Sequence, residues 1–167
     1  MADQAGRNRS PAVLFVCTAN ICRSPMAEAL FRAHLQKNRA DWAVWRIESA
    51  GTWAKEGEAV SENSRESLAR RGIQLMNHRS KIITPHMIEQ FNLILVMEGG
   101  HKEALQVEFP QAAGKIYLLS EMQGLISPVQ DPYGGSLEAY EKAAASIESM
   151  IVKGFDRIVT LALSDQF

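Results

Sequence analysis

Cys17 and Arg23 bracket the stretch Cys17-Thr18-Ala19-Asn20-Ile21-Cys22-Arg23, with five residues between them. A thiol set beside amide donors and a guanidinium is favoured in its charged form, and the thiolate, not the thiol, is the nucleophile. Arginine presents a planar fork that grips two oxygens of a phosphoryl group, a geometry lysine lacks. Ser24 can donate a hydrogen bond to the sulfur when sulfur becomes the leaving group. These residue types at this spacing read as attack by sulfur on a cradled phosphorus. Such chemistry needs one more group. Expelling an alkoxide or phenoxide calls for an acid, releasing phosphate from a phosphocysteine calls for a base, and one carboxyl can serve both in turn. Asp131, in Asp131-Pro132-Tyr133-Gly134-Gly135, is the candidate. Pro132 stiffens the backbone there, and the glycines allow a tight turn. In isolation, the pentapeptide reads more readily as an ordinary turn with a solvated Asp. A bare Cys-x5-Arg also fits a buried thiol that ends a core strand beside a solvated arginine.

The surrounding elements favour the chemical reading. Ala12 to Cys17 is an unbroken apolar run, too short for a helix and suited to a buried parallel strand. Ser24-Pro25 reads as a helix start, with Ser as cap and Pro at the first helical position. The stretch between is then a tight loop from a strand into a helix N-terminus. Such a loop aims several backbone N–H groups at one spot, where the helix dipole favours an anion. The motif thus sits in the context it requires.

Val13 to Ala29 resembles the signature of the low-molecular-weight protein tyrosine phosphatases, which usually carry Gly at the position of Ala19. The resemblance extends to Asp131-Pro132-Tyr133 and, more weakly, to Glu48-Ser49-Ala50-Gly51-Thr52, and spans most of the chain from about Ala12. It implies a general acid in an Asp-Pro-aromatic motif near the C-terminus, which matches Asp131. It also implies a supporting network from the loop Asn to the loop Ser, a further Ser and a His, matching Asn20, Ser24, Ser49 and His78. The expected substrate is phosphotyrosine in proteins. Some relatives resemble arginine phosphatases; they carry Thr where this chain has Ile21, yet share Asp-Pro-aromatic-Gly-Gly-Ser, as in Asp131 to Ser136. Ile21 therefore favours an aryl substrate, while the tail motif keeps phosphoarginine open.

The chain of 167 residues, with 46% hydrophobic and 22% charged residues, fits one globular domain. A net charge of −1 gives no case for nucleic acid or membrane partners. Two cysteines make no disulfide scaffold and point to a reducing, cytoplasmic setting. No metal or other cofactor is expected, because loop amides and Arg23 neutralise the phosphoryl oxygens. A monomer is expected.

Residues 1–10 read as a disordered tail and 11–167 as the domain. Helices are expected from about Pro25 to Asn38, Asn63 to Arg71, at Thr84-Pro85, from Gly100 to Phe109, and after Ser136. Strands are expected at Ala12–Cys17, Trp45–Ala50, Asn92–Met97 and Lys115–Leu119. Asn63 with Glu66 resembles a capping pair, and Gly154 is expected to end or weaken the last helix. Ser120 to Gly135 reads as a long functional loop. The alternation predicts an α/β fold: a four-stranded parallel sheet with helices on both faces, like phosphotyrosine protein phosphatase I, and ligands at the carboxyl ends of the strands.

Thr18, Ala19, Asn20, Ile21, Cys22 and Ser24 are expected to surround the phosphate. Trp53 and Tyr133 are candidate aromatic walls, Trp53 being open equally to a packing role. His34, His86 and His101 match no role. Cys22 lies where it can capture an oxidised Cys17 as a reversible disulfide. Arsenate reduction on the same fold would need more cysteines than the chain has, and a non-catalytic anion-binding module would not need Cys17, Arg23 and Asp131 together.

Overall fold

Short apolar runs, not amphipathic ones, build the centre of this protein. The computed structural model describes residues 10–164, so most of the expected N-terminal tail lies outside the described residues. Strand β1 (Ala12–Cys17) pairs in parallel with β2 (Arg46–Gly51) on one side and β3 (Leu93–Val96) on the other, and β3 pairs with β4 (Ile116–Leu118). The order is β2-β1-β3-β4, all parallel, as expected for the fold class. Every residue of β1 and β3 is buried, which explains why those strands read as continuous apolar runs.

Helices cover both faces. Val13, Phe15, Leu93 and Leu95 pack in one cluster with residues of α1 (Arg23–Asn38), α2 (Glu62–Ala69) and α5 (Leu137–Leu163). Leu14, Val16, Ile94 and Val96 face the other way, toward α3 (Pro85–Gln90) and α4 (Gly99–Glu108). Thr84 caps α3 by accepting from the Met87 amide, with Pro85 in its first turn, and Ser136 caps α5 by accepting from the Ala139 amide. Both caps were legible in the sequence.

Four local expectations are corrected. Helix α1 begins at Arg23, not Pro25, with Cys22 at the cap position and Ser24 inside the first turn. Ser24 does not cap because its hydroxyl is engaged with Cys17 and Asn20. Asn63 likewise lies inside α2, whose cap position is Ser61. Gly154 does not end α5, which runs on to Leu163. A Cβ there would come within 2.5 Å of the Met122 Cβ, so the glycine lets α5 lie close against the 3-10 turn Leu119–Gln123. That turn also shortens the expected long loop, which is irregular only beyond Gln123.

Candidate active site

Cys17 ends β1 and Arg23 begins α1, so the intervening residues form the loop at the carboxyl edge of the central strand. The direction of its peptide groups follows from where their carbonyls go. Cys17 O accepts from Thr52 N, Thr18 O from Trp53 N, Asn20 O from His78 Nε2, Ile21 O from Ser61 N, and Cys22 O from Met26 N. In a planar trans peptide the N–H points opposite the C=O. With these carbonyls turned outward, the amides of Thr18, Ala19, Ile21, Cys22 and Arg23 turn inward. The Cys22 side chain makes no cap to α1, so the free amides of the first turn add to the same field. The loop is therefore an amide nest of the kind that holds a tetrahedral oxyanion.

Gly51 makes this possible. A Cβ at Gly51 would lie 2.3 Å from Thr18 O, so β2 can brace the loop only with a glycine at that point. Asn20 is the one non-glycine residue at positive φ among the described residues, at 59°. Its side chain tolerates that conformation and holds it, donating to Ser24 Oγ (2.8 Å) and Ser49 Oγ (2.9 Å) and accepting from Lys81 N (3.0 Å). His78 Nε2 lies 2.7 Å from Asn20 O. Burial pushes the His78 imidazole below its ordinary range, against the opposing effect of that hydrogen bond. The structure thus brings Asn20, Ser24, Ser49 and His78 together. Ala19 has no positive φ, so alanine fits where relatives usually have glycine.

Cys17 Sγ lies 3.0 Å from Ser24 Oγ, and Ser24 Oγ lies 3.4 Å from Ala50 O. The hydroxyl can therefore exchange a long bond to a carbonyl for a charge-assisted one to a thiolate. Arg23 is 2% exposed. Its Nη1 donates to Glu98 Oε1 and to Val129 O, both at 2.8 Å, while Nη2 lies 3.7 Å from Asp131 Oδ2. One nitrogen of the fork is pinned by both acceptors, while Nη2 lies toward Asp131 and the residue lines the cavity over the loop.

A cavity of about 510 Å³ opens over the loop, lined by Cys17, Thr18, Ala19, Ile21, Cys22 and Arg23 on its floor and by Trp53, Asp131 and Tyr133 at its sides. Trp53 is 84% exposed, so it is not a packing residue. Asp131 Oδ1 accepts from Tyr133 N at 3.1 Å, an Asx turn that aims the second carboxylate oxygen at Arg23. Of the residues expected around the phosphate, Asn20 and Ser24 do not line the cavity; both are fully buried behind the loop. Cys22 Sγ is held at 3.4 Å from the Tyr140 hydroxyl and 3.5 Å from Ser61 Oγ. Burial pushes its thiol up, and burial with the Cys22 contact pushes Tyr140 up to about 12.

Sequence reasoning missed Lys55 and Glu58, which also line the cavity, and Glu98 and His101, which brace the loop from α4. The signal that would have found Glu98 is its place immediately past the carboxyl end of β3, the strand beside β1. Among the described residues no cluster of three or more His, Cys, Asp or Glu is arranged to hold a metal, and no helix is long and apolar enough to cross a membrane.

A parallel α/β sheet whose central strand ends in an amide nest between cysteine and arginine defines the class of cysteine-dependent phosphatases. Residues 12–160 match the family model of low molecular weight phosphotyrosine protein phosphatase. The chain is 34% identical over 149 residues to a protein-arginine-phosphatase of Geobacillus stearothermophilus, covering 89% of this chain and 96% of that one. It is 35% identical over 144 residues to the probable low molecular weight protein-tyrosine-phosphatase EpsP of Ralstonia nicotianae, covering 86% and 90%. The crystal structure of a low molecular weight protein tyrosine phosphatase from T. tengcongensis superposes with a TM-score of 0.82 at 39% identity, covering 87% of this chain and 98% of that one. The chain belongs to the low molecular weight phosphotyrosine protein phosphatase family and is an enzyme of that protein phosphatase class.

Proposed function

We propose that this enzyme hydrolyses phosphotyrosine in proteins, with Cys17 as nucleophile, Arg23 and the loop amides as the phosphoryl cradle, and Asp131 as general acid and then base. The observation that carries the reading is the outward turn of the loop carbonyls, which gathers the loop amides above Cys17 Sγ. In the first step the thiolate forms an S–P bond, the P–O bond to the tyrosyl oxygen breaks, and Asp131 protonates that oxygen. In the second, Asp131 takes a proton from water as it attacks phosphorus, the P–S bond breaks, and Ser24 donates to the returning thiolate. Arg23 and the amides stabilise the equatorial oxygens in both steps. Ile21 at the floor and Trp53 and Tyr133 at the sides favour a flat aryl group. Because both cysteines are free, we assign the enzyme to a reducing, cytoplasmic setting. A Cys17–Cys22 disulfide would require Cys22 to leave its contacts with Tyr140 and Ser61.

A second reading keeps the mechanism and changes the substrate to phosphoarginine. It is favoured by the arginine phosphatase among the relatives and by Asp131 to Ser136. Steady-state hydrolysis of phosphotyrosine, phosphoserine and phosphoarginine peptides, without metal and with thiol present, separates the two. Preference for phosphotyrosine that vanishes in Cys17→Ser is the expected result. Preference for phosphoarginine overturns the substrate, and turnover surviving in Cys17→Ser overturns the mechanism.

A further inference from the structure

His101, on the first turn of α4, touches the loop from outside the cavity lining, and its ring is committed at both nitrogens. The Glu98 amide donates to Nδ1 at 3.2 Å, and Nε2 lies 2.8 Å from Thr18 Oγ1. An Nδ1 that accepts cannot carry the proton of a neutral imidazole, so the proton is on Nε2 and the ring donates to Thr18. Thr18 is the first residue of the loop, and its carbonyl is already fixed by Trp53 N at 3.0 Å. With a lone pair of its hydroxyl occupied by His101, the remaining proton of Thr18 is free for another acceptor, and Thr18 lines the cavity. The same Glu98 that orients His101 through its amide grips Arg23 through its carboxylate at 2.8 Å. The N-terminus of α4 thus holds the loop at its first residue and at its last.

We propose that His101 is a positioning residue of the phosphate site: fixed as the Nε2–H tautomer by the Glu98 amide, it anchors the Thr18 hydroxyl to α4 and turns that hydroxyl's own proton toward the bound anion. This deepens the phosphatase reading and rests on it for its meaning in turnover.

The charged groups around the ring make the arrangement sensitive to acid. Burial pushes the imidazole below its ordinary value, Arg23 pushes the same way, and Glu98 and Asp131 oppose them. Lys102, the next residue on α4, is turned to Glu121. Protonation would put an N–H on Nδ1 facing the Glu98 N–H, two donors in one contact. The loop geometry that needs a neutral ring is therefore intact at neutral pH, and is lost as pH falls through the lowered value of His101.

Glutamine at this position can reproduce both contacts without titrating, its Oε1 accepting from the Glu98 amide and its Nε2 donating to Thr18. The test measures sulfate binding, since sulfate does not titrate near neutrality, in wild type, His101→Gln and His101→Leu from neutral to mildly acidic pH. Leu is expected to weaken sulfate about tenfold, the loss of one buried hydrogen bond, while Gln stays within about twofold at neutral pH. Wild-type affinity is expected to fall on acidification more steeply than that of Gln. If wild-type affinity instead rises relative to Gln, the imidazolium attracts the anion directly and the positioning role is wrong. Nitrogen-15 NMR of the wild-type ring, which needs no variant to fold, gives a separate reading: protonated Nε2 is expected, and a neutral ring protonated at Nδ1 overturns the proposal. Neither readout requires turnover, so an enzyme inactive on every phosphopeptide would sink the phosphatase reading while leaving this test standing.

Discussion

Asn20 and Trp53 stand on opposite sides of the same cavity wall. Asn20 is fully buried, and its side chain and carbonyl are committed to Ser24, Ser49, Lys81 and His78. Trp53 is 84% exposed and Tyr133 70% exposed, both on turns that reach over the cavity. The floor is over-determined: the carbonyls of Cys17, Thr18, Asn20, Ile21 and Cys22 have partners, and its arginine is pinned by Glu98 and Val129. The rim is held through its backbone, by the Thr52 and Trp53 amides and the bonds of Lys55, Gly57 and Glu58 to Ser80 on one side and by the Asp131–Tyr133 turn on the other, while its aromatic side chains stand exposed. Fixed donors raise the rate of a phosphoryl transfer only where they need no reorganisation. Aromatic walls that select among substrates have no such demand. On the proposed mechanism, chemistry belongs to the buried half of the site and substrate choice to the exposed half.

The sharpest way to break that division is at Asp131, which belongs to both. Its side chain is half exposed, yet it is assigned a chemical step. Asp131→Asn is expected to lower kcat roughly 10²–10⁴-fold on a phosphotyrosine peptide, the usual range for losing a general acid. Substrates whose leaving group needs no proton should lose less. If all substrates lose equally little, Asp131 is a rim residue only, and the acid lies elsewhere.

A smaller effect tests the floor. Asn20 contributes its left-handed backbone and its side-chain bonds, and two substitutions separate them. Asn20→Gly keeps the backbone and loses the bonds, an expected cost of about 1–3 kcal/mol for buried partners left unsatisfied. Asn20→Ala loses both and should cost about 1–2 kcal/mol more, because alanine resists positive φ. Denaturant unfolding of the two variants measures the difference. Equal stability of Asn20→Gly and wild type would mean that the conformation alone holds the loop.

How much of this was legible in sequence follows the same division. The loop announced itself because its parts are contiguous: a strand, Cys17 to Arg23, and a helix start. The left-handed backbone of Asn20 and the caps Thr84 and Ser136 follow local preferences that no tertiary contact overrides. Ser49 and His78 came only from family resemblance, since nothing near them in the chain says that they meet Asn20. Glu98 and His101 stayed hidden for a topological reason. The helix after β3 was expected from Gly100, but placing its N-terminus beside the loop requires knowing that β3 pairs with β1. Ser24 was misplaced as a cap because a hydroxyl before proline has that local use, and the thiol that claims it is seven residues earlier in the chain. Gly154 was misread because its reason, the close approach of Met122, is tertiary.

The rim gives the smallest effect on the fold and the most informative one on function. Trp53→Ala and Tyr133→Ala remove exposed side chains, so stability should stay within about 0.5 kcal/mol of wild type. Each aromatic contact with a substrate ring is worth about 0.5–1.5 kcal/mol, so kcat/KM for aryl phosphopeptides should fall roughly 2- to 10-fold. Hydrolysis of an alkyl phosphate, which has no ring to stack, should barely change. The contrast matters more than either value. An equal fall for aryl and alkyl substrates would mean that Trp53 acts through the loop, because its amide is the donor that fixes Thr18 O. In that case the rim would be part of the floor's bracing, and substrate choice would have to be sought at Ile21, which lies within the loop itself.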